Sequence, residues 1–171
     1  MKDTRENRIS AAIITLSDKG AKGEREDVSG ACIEKMLEES NTYYVEEYHL
    51  IPDDEEKLET LLREICDEKR ARLILTTGGT GFSKRDITPE ATLKVAEKIA
   101  PGISEAMRAA SMQVTKRAML SRGVSVIRNE TLIVNLPGSP KAVRENLETV
   151  LPTLIHGIEI LGGEAQECAA E

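Results

Sequence analysis

The sequence predicts a single-domain α/β fold with three layers, a doubly wound and mostly parallel sheet, and a local antiparallel hairpin. Short apolar segments alternate with amphipathic helical segments along most of the 171 residues, which is the pattern of repeated βα units. A content of 40% apolar and 31% charged residues is typical of a soluble globular domain of this length. We expect the domain to span residues 9–162, between a polar tail at 1–8 and an acidic tail at 163–171.

Three strands are predicted in the first half of the chain. Ile9–Leu16 contains a continuous apolar run, and Tyr43–Ile51 is a more exposed strand because it carries charged side chains. Leu73–Leu75 is a short apolar run between polar residues, as expected of a buried parallel strand. Helices are predicted at 31–40 and after Pro52. The second of these helices has an apolar stripe at the i, i+3, i+4, i+7 spacing, formed by Leu58, Leu61, Leu62 and Ile65.

A third helix is predicted from Pro89 to about Ile99, because Thr88 is a good N-cap residue and a proline at the first helical position favours helix initiation. Pro101 and Gly102 then interrupt the chain before another helical stripe. This region therefore predicts two consecutive helices.

The last part of the chain predicts a hairpin and two helices. Residues 124–127 and 131–135 are separated by a short polar turn, which indicates antiparallel strands. A helix then opens near Pro140, and Pro152 is expected to end it because proline cannot donate the helical hydrogen bond. A separate final helix is predicted over 153–161.

The third strand leads into a glycine loop with the sequence TTGGTG, residues 76–81. Three glycines in four positions permit positive φ and a close approach of the backbone to a ligand. Successive amide groups in such a loop can converge on an anion. The loop is neither a Walker A motif nor GxGxxG, which disfavours an ordinary P-loop NTPase and an ordinary dinucleotide-binding fold. A tight turn with no ligand is the alternative interpretation.

Loops of unusual composition follow four of the predicted strands. In open α/β sheets, ligands bind beyond the carboxyl ends of the strands, so we expect these loops to converge on one site. The four loops are Ser17–Gly30, Pro52–Asp54, Gly78–Asp86 and Pro137–Lys141.

Two of these loops carry candidate functional aspartates, Asp53 and Asp86. Carboxylates beside an anion-binding loop would repel a phosphate unless a cation lies between them, and Mg²⁺ is the cation that combines carboxylate and phosphate ligands. Asp53 alone is also consistent with a simple helix N-cap. Ser139 and Lys141, near a helix start, could hold another anionic group.

Composition limits the partners of the chain. A formal charge of −7 and an aromatic content of 2% disfavour nucleic-acid binding, which uses basic surfaces and stacking rings. No apolar run approaches the roughly 18 residues of a membrane span, and the polar N-terminus lacks the apolar core of a secretory signal. The three cysteines lack metal-ligand spacing, and reduced thiols indicate a cytoplasmic protein.

Four ordered motifs resemble the molybdopterin adenylyltransferases of molybdenum-cofactor biosynthesis, a family that includes the G domain of gephyrin. They are LTTGGTGFSKRDITPEAT, APGISEAMRAAS, MLSRGV and TLIVNLPGSPK. The resemblance implies transfer of AMP from Mg-ATP to the terminal phosphate of molybdopterin, with release of pyrophosphate. It also implies a homotrimer and hand-over of the product to a molybdenum insertase. A non-catalytic molybdopterin carrier, a scaffold, and a paralogue of low activity remain the alternatives.

The same resemblance assigns roles to individual residues. Asp53 and Asp86 match the two essential aspartates of the family and are the candidate Mg²⁺ ligands. Position 139 is Ser here and Gln in some relatives, which leaves its own contribution open. The binding residues that the resemblance implies are Gly78, Gly79, Thr80 and Gly81 for the nucleotide phosphates, Ser121, Pro137, Gly138 and Ser139 for the pterin and adenylate, and Asp27 and Ser29 in a further family pattern. Thr77 beside the glycine loop and Lys141 near the helix start are further candidate binding residues because of their positions alone.

Overall fold

The computed structural model describes residues 7–164, and a six-stranded sheet forms its centre. The first two strands have the predicted bounds, and β1 ends where its apolar run gives way to the polar Ser17. The strands are β1 (Ile9–Leu16), β2 (Tyr43–Ile51), β3 (Leu73–Thr77), β4 (Lys98–Ile99), β5 (Ser125–Arg128) and β6 (Thr131–Leu136).

Helices connect these strands and cover both faces of the sheet. They are α1 (Asp18–Ala21), α2 (Val28–Glu39), α3 (Glu55–Asp67), α4 (Thr88–Val95), α5 (Pro101–Met112) and α6 (Pro140–Leu161), with a 3₁₀ helix at Lys116–Leu120 between α5 and β5.

The strand order is β2-β1-β3-β6-β5-β4. Neighbours among β2, β1, β3 and β6 pair in parallel, while β5 is antiparallel to β6 and to β4. From β1 the chain moves outward to β2 and then crosses to β3 on the other side of β1, which makes the gap between β1 and β3 a topological switch point. The predicted fold class is therefore confirmed, including the β5–β6 hairpin.

Two apolar cores lie on opposite faces of the sheet. Successive side chains of β1 point to opposite faces of the sheet, so Ile13 lies in one core and Ile14 in the other. Helices α2, α5 and α6 cover the Ile13 face, and α3 and α4 cover the Ile14 face. Burial of β1 from both sides makes the sheet a rigid base for the loops at its carboxyl edge.

Two helix boundaries, the start of α2 and the end of α4, differ from the prediction. The loop 17–30 contains the short α1, and α2 begins at Val28 because the Asp27 carboxylate accepts a hydrogen bond from the Gly30 N–H and caps the helix. The helix predicted to reach Ile99 ends at Val95, since Lys98 and Ile99 pair with β5 as strand β4.

The predicted break at Pro152 was wrong. Helix α6 continues through Pro152 to Leu161. Leu151 and Leu154, on either side of the proline, are both buried in the same core. We attribute the continuity to this burial on both sides, which offsets the roughly 3 kcal/mol that proline costs inside a helix.

The predicted tails lie largely outside the described residues, which exclude 1–6 and 165–171. The domain limits 9–162 therefore stay a prediction. Within residues 7–164, no helix is both long and apolar enough to cross a bilayer.

Candidate active site

The four predicted loops meet at one edge of the sheet, because the strands that precede them are parallel neighbours. A cavity of about 580 Å³ opens there, between the ends of β1 and β3 and the starts of α2 and α6. This volume lies within the range of small-molecule sites. Its lining includes the predicted site residues Asp27, Ser29, Thr77, Gly78, Gly138 and Ser139.

The glycine loop has a backbone that other residues cannot adopt without strain. Gly78 and Gly79 have φ of +92° and +68°. A β-carbon at Gly78 would strike the Leu16 carbonyl oxygen, and one at Gly79 would strike Thr88 Oγ1. Thr88 was predicted to be the N-cap of α4, but the N-cap position is occupied by Ile87 and Thr88 is the first helical residue. Instead Thr88 Oγ1 donates to the Gly78 carbonyl at 2.9 Å, and its N–H donates to the Gly79 carbonyl at 3.1 Å.

The loop between β6 and α6 is bonded to the other loops by two side-chain hydroxyls. Thr77 Oγ1 donates to the Pro137 carbonyl at 2.6 Å, and Ser29 Oγ donates to the Gly138 carbonyl at 2.7 Å. A β-carbon on Gly138 would lie 3.6 Å from Gly78 Cα. The start of α2, the glycine loop and the start of α6 are therefore fixed against one another around the cavity.

Asp27 is held at the cavity wall from two sides. Its Oδ1 accepts the Gly30 N–H at 2.8 Å, and its Oδ2 accepts a hydrogen bond from Tyr48 Oη. Burial raises the pKa of Tyr48, and the neighbouring Asp27 raises it further, so the phenol stays a donor to the carboxylate. Tyr48 was not among the predicted site residues, because nothing local marks a strand tyrosine as the partner of a distant aspartate.

Asp53 is not the N-cap of α3. That position belongs to Asp54, whose Oδ1 accepts the Lys57 N–H at 3.0 Å. The Asp53 carboxylate instead accepts the Asp18 N–H at 3.1 Å, while the Asp53 N–H donates to Asp18 Oδ1 at 3.0 Å. Burial raises the pKa of Asp53 above its ordinary value; the Asp18 N–H opposes this, and the negative charges of Asp18 and Asp86 add to it.

Asp86 and Asp53 border the glycine loop at different glycines. Asp86 Oδ2 accepts the Ser83 N–H at 2.8 Å and lies 2.8 Å from the place of a β-carbon on Gly81. Asp53 Oδ1 lies 3.4 Å from the place of a β-carbon on Gly79. The structure thus brings both predicted aspartates to the loop.

Arg122 binds the backbone of the glycine loop at its Gly81 end. It was not among the residues predicted from the sequence. Its Nε donates to the Gly81 carbonyl at 2.6 Å and its Nη2 to the Asp86 carbonyl at 2.9 Å, while its own N–H donates to the Thr80 carbonyl at 2.9 Å. Its guanidinium also pairs with Glu90 and lowers the pKa of that carboxyl. The one available signal was its place in the MLSRGV motif.

Several predicted site residues are not in the lining of the main cavity: Asp53, Gly79, Thr80, Gly81, Asp86, Ser121, Pro137 and Lys141. Ser121 and Pro137 line a second cavity of about 220 Å³ between α5, the 3₁₀ helix and α6. The Lys141 side chain is 77% exposed, pairs with Glu145 and is not in the lining of the main cavity. Ser139 lines the main cavity and caps α6 by accepting the Ala142 N–H at 3.2 Å.

The fold and the site define a class of protein. Residues 12–156 match the family model of the probable molybdopterin binding domain, which covers most of the chain. The chain therefore belongs to this family, and the resemblance identified from the four motifs is confirmed.

Curated relatives and solved structures agree with this assignment. The chain is 42% identical over 156 residues to a molybdopterin adenylyltransferase of Helicobacter pylori strain J99, covering 91% of the chain and 89% of the relative. It is 41% identical over 157 residues to the one of Escherichia coli K12, covering 89% and 80%. The molybdopterin biosynthesis enzyme MoaB of Thermus thermophilus superposes with a TM-score of 0.84 at 42% identity, covering 93% of this chain and 99% of that one. A molybdopterin biosynthesis protein of Mycobacterium abscessus gives a TM-score of 0.85 at 31% identity, covering 91% and 97%.

Proposed function

We propose that the protein is a molybdopterin adenylyltransferase, which transfers AMP from ATP to the terminal phosphate of molybdopterin and releases pyrophosphate. The observation that carries the proposal is the convergence of Asp53 and Asp86 on a strained glycine loop at the carboxyl edge of the sheet. The identity of 41–42% to curated adenylyltransferases supports it.

The reaction requires positioning and charge stabilisation more than a strong base. An oxygen of the molybdopterin phosphate bonds to the α-phosphorus of ATP, the bond from that phosphorus to the bridging oxygen breaks, and pyrophosphate leaves with the bond electrons. A phosphate monoester is already ionised at neutral pH, since its second pKa is about 6. In keeping with this, neither of the two histidines lines the main cavity.

The glycine loop is suited to bind phosphate oxygens. Its backbone is held by Thr88 on one side and Arg122 on the other, so the amide groups need not reorganise during the reaction. Preorganised donors of this kind stabilise charge that develops in a transition state. The loop would therefore orient the triphosphate while the fixed loops around the cavity hold the second substrate.

Mg²⁺ fits the donors present, and Asp53 and Asp86 would hold it. Mg²⁺ is commonly bound by one or two carboxylates together with phosphate and water ligands. Burial raises the pKa of Asp53, and the charges of Asp18 and Asp86 add to this, so a cation bound there would favour the ionised carboxylate. When bound, the cation would neutralise charge on the phosphates.

We also propose a cytoplasmic homotrimer that passes its product to a molybdenum insertase. Met112, Val114, Met119 and Leu120 expose 40–56% of their surface within one segment, which supports self-association through this side. The free thiols of Cys32 and Cys66 suit a reducing compartment. Light scattering coupled to gel filtration tests the trimer.

The function is tested by incubating the purified protein with molybdopterin, ATP and Mg²⁺. We expect release of pyrophosphate and a product heavier than molybdopterin by one adenylyl group, both absent when molybdopterin is omitted. Binding of molybdopterin without release of pyrophosphate would instead identify a carrier.

A further inference from the structure

Asp18 lies outside the predicted site, yet it makes a reciprocal contact with Asp53. Strands β1 and β2 are parallel neighbours that end in register at Leu16 and Ile51. Each aspartate lies two residues beyond its strand, so the two stand opposite each other. The Asp18 N–H donates to Asp53 Oδ2 at 3.1 Å, and the Asp53 N–H donates to Asp18 Oδ1 at 3.0 Å.

This contact determines how the Asp53 carboxylate is oriented. Oδ2 is bonded to the Asp18 backbone, and Oδ1 faces Gly79. Within the described residues, the Asp53 side chain accepts this one hydrogen bond and forms no ion pair. The direction in which Asp53 presents its free oxygen to the glycine loop thus depends on Asp18.

Arg85 in turn fixes Asp18. Its Nη2 donates to Asp18 Oδ1 at 2.8 Å and its Nε to Oδ2 at 2.9 Å, a bidentate pair. The hydrogen bonds from Arg85 hold the pKa of Asp18 below its ordinary value. Both Asp18 oxygens accept a hydrogen bond from Arg85, and Oδ1 also accepts the Asp53 N–H, so Arg85 and Asp53 are joined through this one carboxylate. Arg85 directly precedes Asp86 in the sequence, so the residue that holds Asp18 lies next to the second candidate catalytic aspartate.

We infer that Asp18 is a positioning residue that orients the Asp53 carboxylate toward the glycine loop, and that Arg85 holds Asp18 in place for this purpose. The catalytic consequence rests on the proposed adenylyl transfer. Removal of the Asp18 side chain leaves its backbone N–H but removes the acceptor of the Asp53 N–H and the partner of Arg85, so the reciprocal pair shifts. Misplacing a catalytic group by about 1 Å can cost up to a hundredfold in rate, so this loss reduces kcat even though Asp18 does not contact the substrates.

If the Arg85–Asp18 pair only stabilised the fold, its loss would leave kcat unchanged. Exposed pairs contribute little to stability, and the Arg85 and Asp18 side chains are 62% and 36% exposed. The chain offers a matched control in Arg128 and Asp67, where Nε and Nη2 donate to Oδ1 and Oδ2 at 2.8 Å each. That pair joins the end of α3 to the β5–β6 turn, away from the site.

The first test compares Asp18→Ala and Asp18→Asn with Asp67→Ala in the adenylylation assay. We expect Asp18→Ala to lower kcat at least about tenfold. Asp18→Asn recovers part of the rate, because the Asn Oδ1 can still accept the Asp53 N–H. Asp67→Ala keeps the wild-type kcat, although it also removes the acceptor of Asn129 Nδ2 and therefore lowers the melting temperature at least as much as Asp18→Ala. A kcat of Asp18→Ala within twofold of wild type, or an equal loss in Asp67→Ala, overturns the inference.

The second test does not depend on catalysis. The Asp18 and Asp53 amides are the donors of the reciprocal pair, so their hydrogen-exchange protection, measured by NMR, reports whether it is formed. We expect protection of both amides to fall in Arg85→Ala and to stay at the wild-type level in Asp67→Ala. Unchanged protection in Arg85→Ala contradicts the role of Arg85. If the wild-type protein does not transfer AMP, the proposed function fails, and this exchange measurement alone decides whether the pair positions Asp53.

Discussion

The Gly79→Ala variant tests whether the glycine loop binds phosphate or is only a tight turn. Its φ of +68° costs a residue with a β-carbon about 1–2 kcal/mol. The added carbon would also strike Thr88 Oγ1, which is fully buried and bonded to the Gly78 carbonyl. Displacing that hydroxyl leaves a polar group unpaired, at about 1–3 kcal/mol. We therefore expect the free energy of unfolding to fall by about 2–5 kcal/mol and ATP binding to weaken.

Gly163→Ala is the matched control for this variant. Its φ of +71° carries the same backbone strain, but a β-carbon there has no neighbour within 4 Å. Urea unfolding gives the stability of both variants, and calorimetric titration with Mg-ATP gives the affinity. Equal stability losses in the two variants, together with wild-type ATP affinity for Gly79→Ala, would show that the loop is only a turn.

Three further predictions concern single side chains. Asp86→Asn should slow adenylylation at least about a hundredfold with little change in melting temperature, since the Asn oxygen can still accept the Ser83 N–H. Arg122→Ala should lower both the melting temperature and, about tenfold, kcat, because the loop carbonyls lose their donors. The pKa of Asp67 is lowered in the folded state, chiefly by hydrogen bonds from Arg128, so the pair stabilises the fold above the ordinary carboxyl pKa of about 3.9 and loses this effect below it. The melting-temperature gap between wild type and Asp67→Asn should therefore narrow as the pH falls below about 4.

The sheet was predictable because its signals are local. The bounds of β1 follow from an apolar run closed by polar residues, and the stripe of α3 identifies its buried face. Once the strands are parallel, their carboxyl ends must share an edge. The meeting of Asp53 and Asp86 at the glycine loop could therefore be predicted without knowing a single contact.

The roles that the sequence did not predict correctly are those of residues whose partners lie elsewhere in the fold. Asp53 and Asp54 are equally good N-cap residues in the sequence. In the structure Asp54 caps α3, because the Asp53 carboxylate accepts the Asp18 N–H instead. Thr88 fits the N-cap pattern but bonds the glycine loop, since that loop folds back on the start of α4. Arg122 acts across 36–41 residues of sequence, a distance over which no local pattern operates.

The rate of AMP transfer to molybdopterin by Asp53→Ser, read together with its melting temperature, decides whether this edge of the sheet is a catalytic site. Because Asp54 and not Asp53 caps α3, the variant should melt close to wild type. A serine hydroxyl is a far poorer Mg²⁺ ligand than a carboxylate, so we expect the transfer to fall at least about a hundredfold in the folded variant. A stable Asp53→Ser protein that transfers AMP at the wild-type rate would contradict the proposed role of Asp53 and, with it, the site.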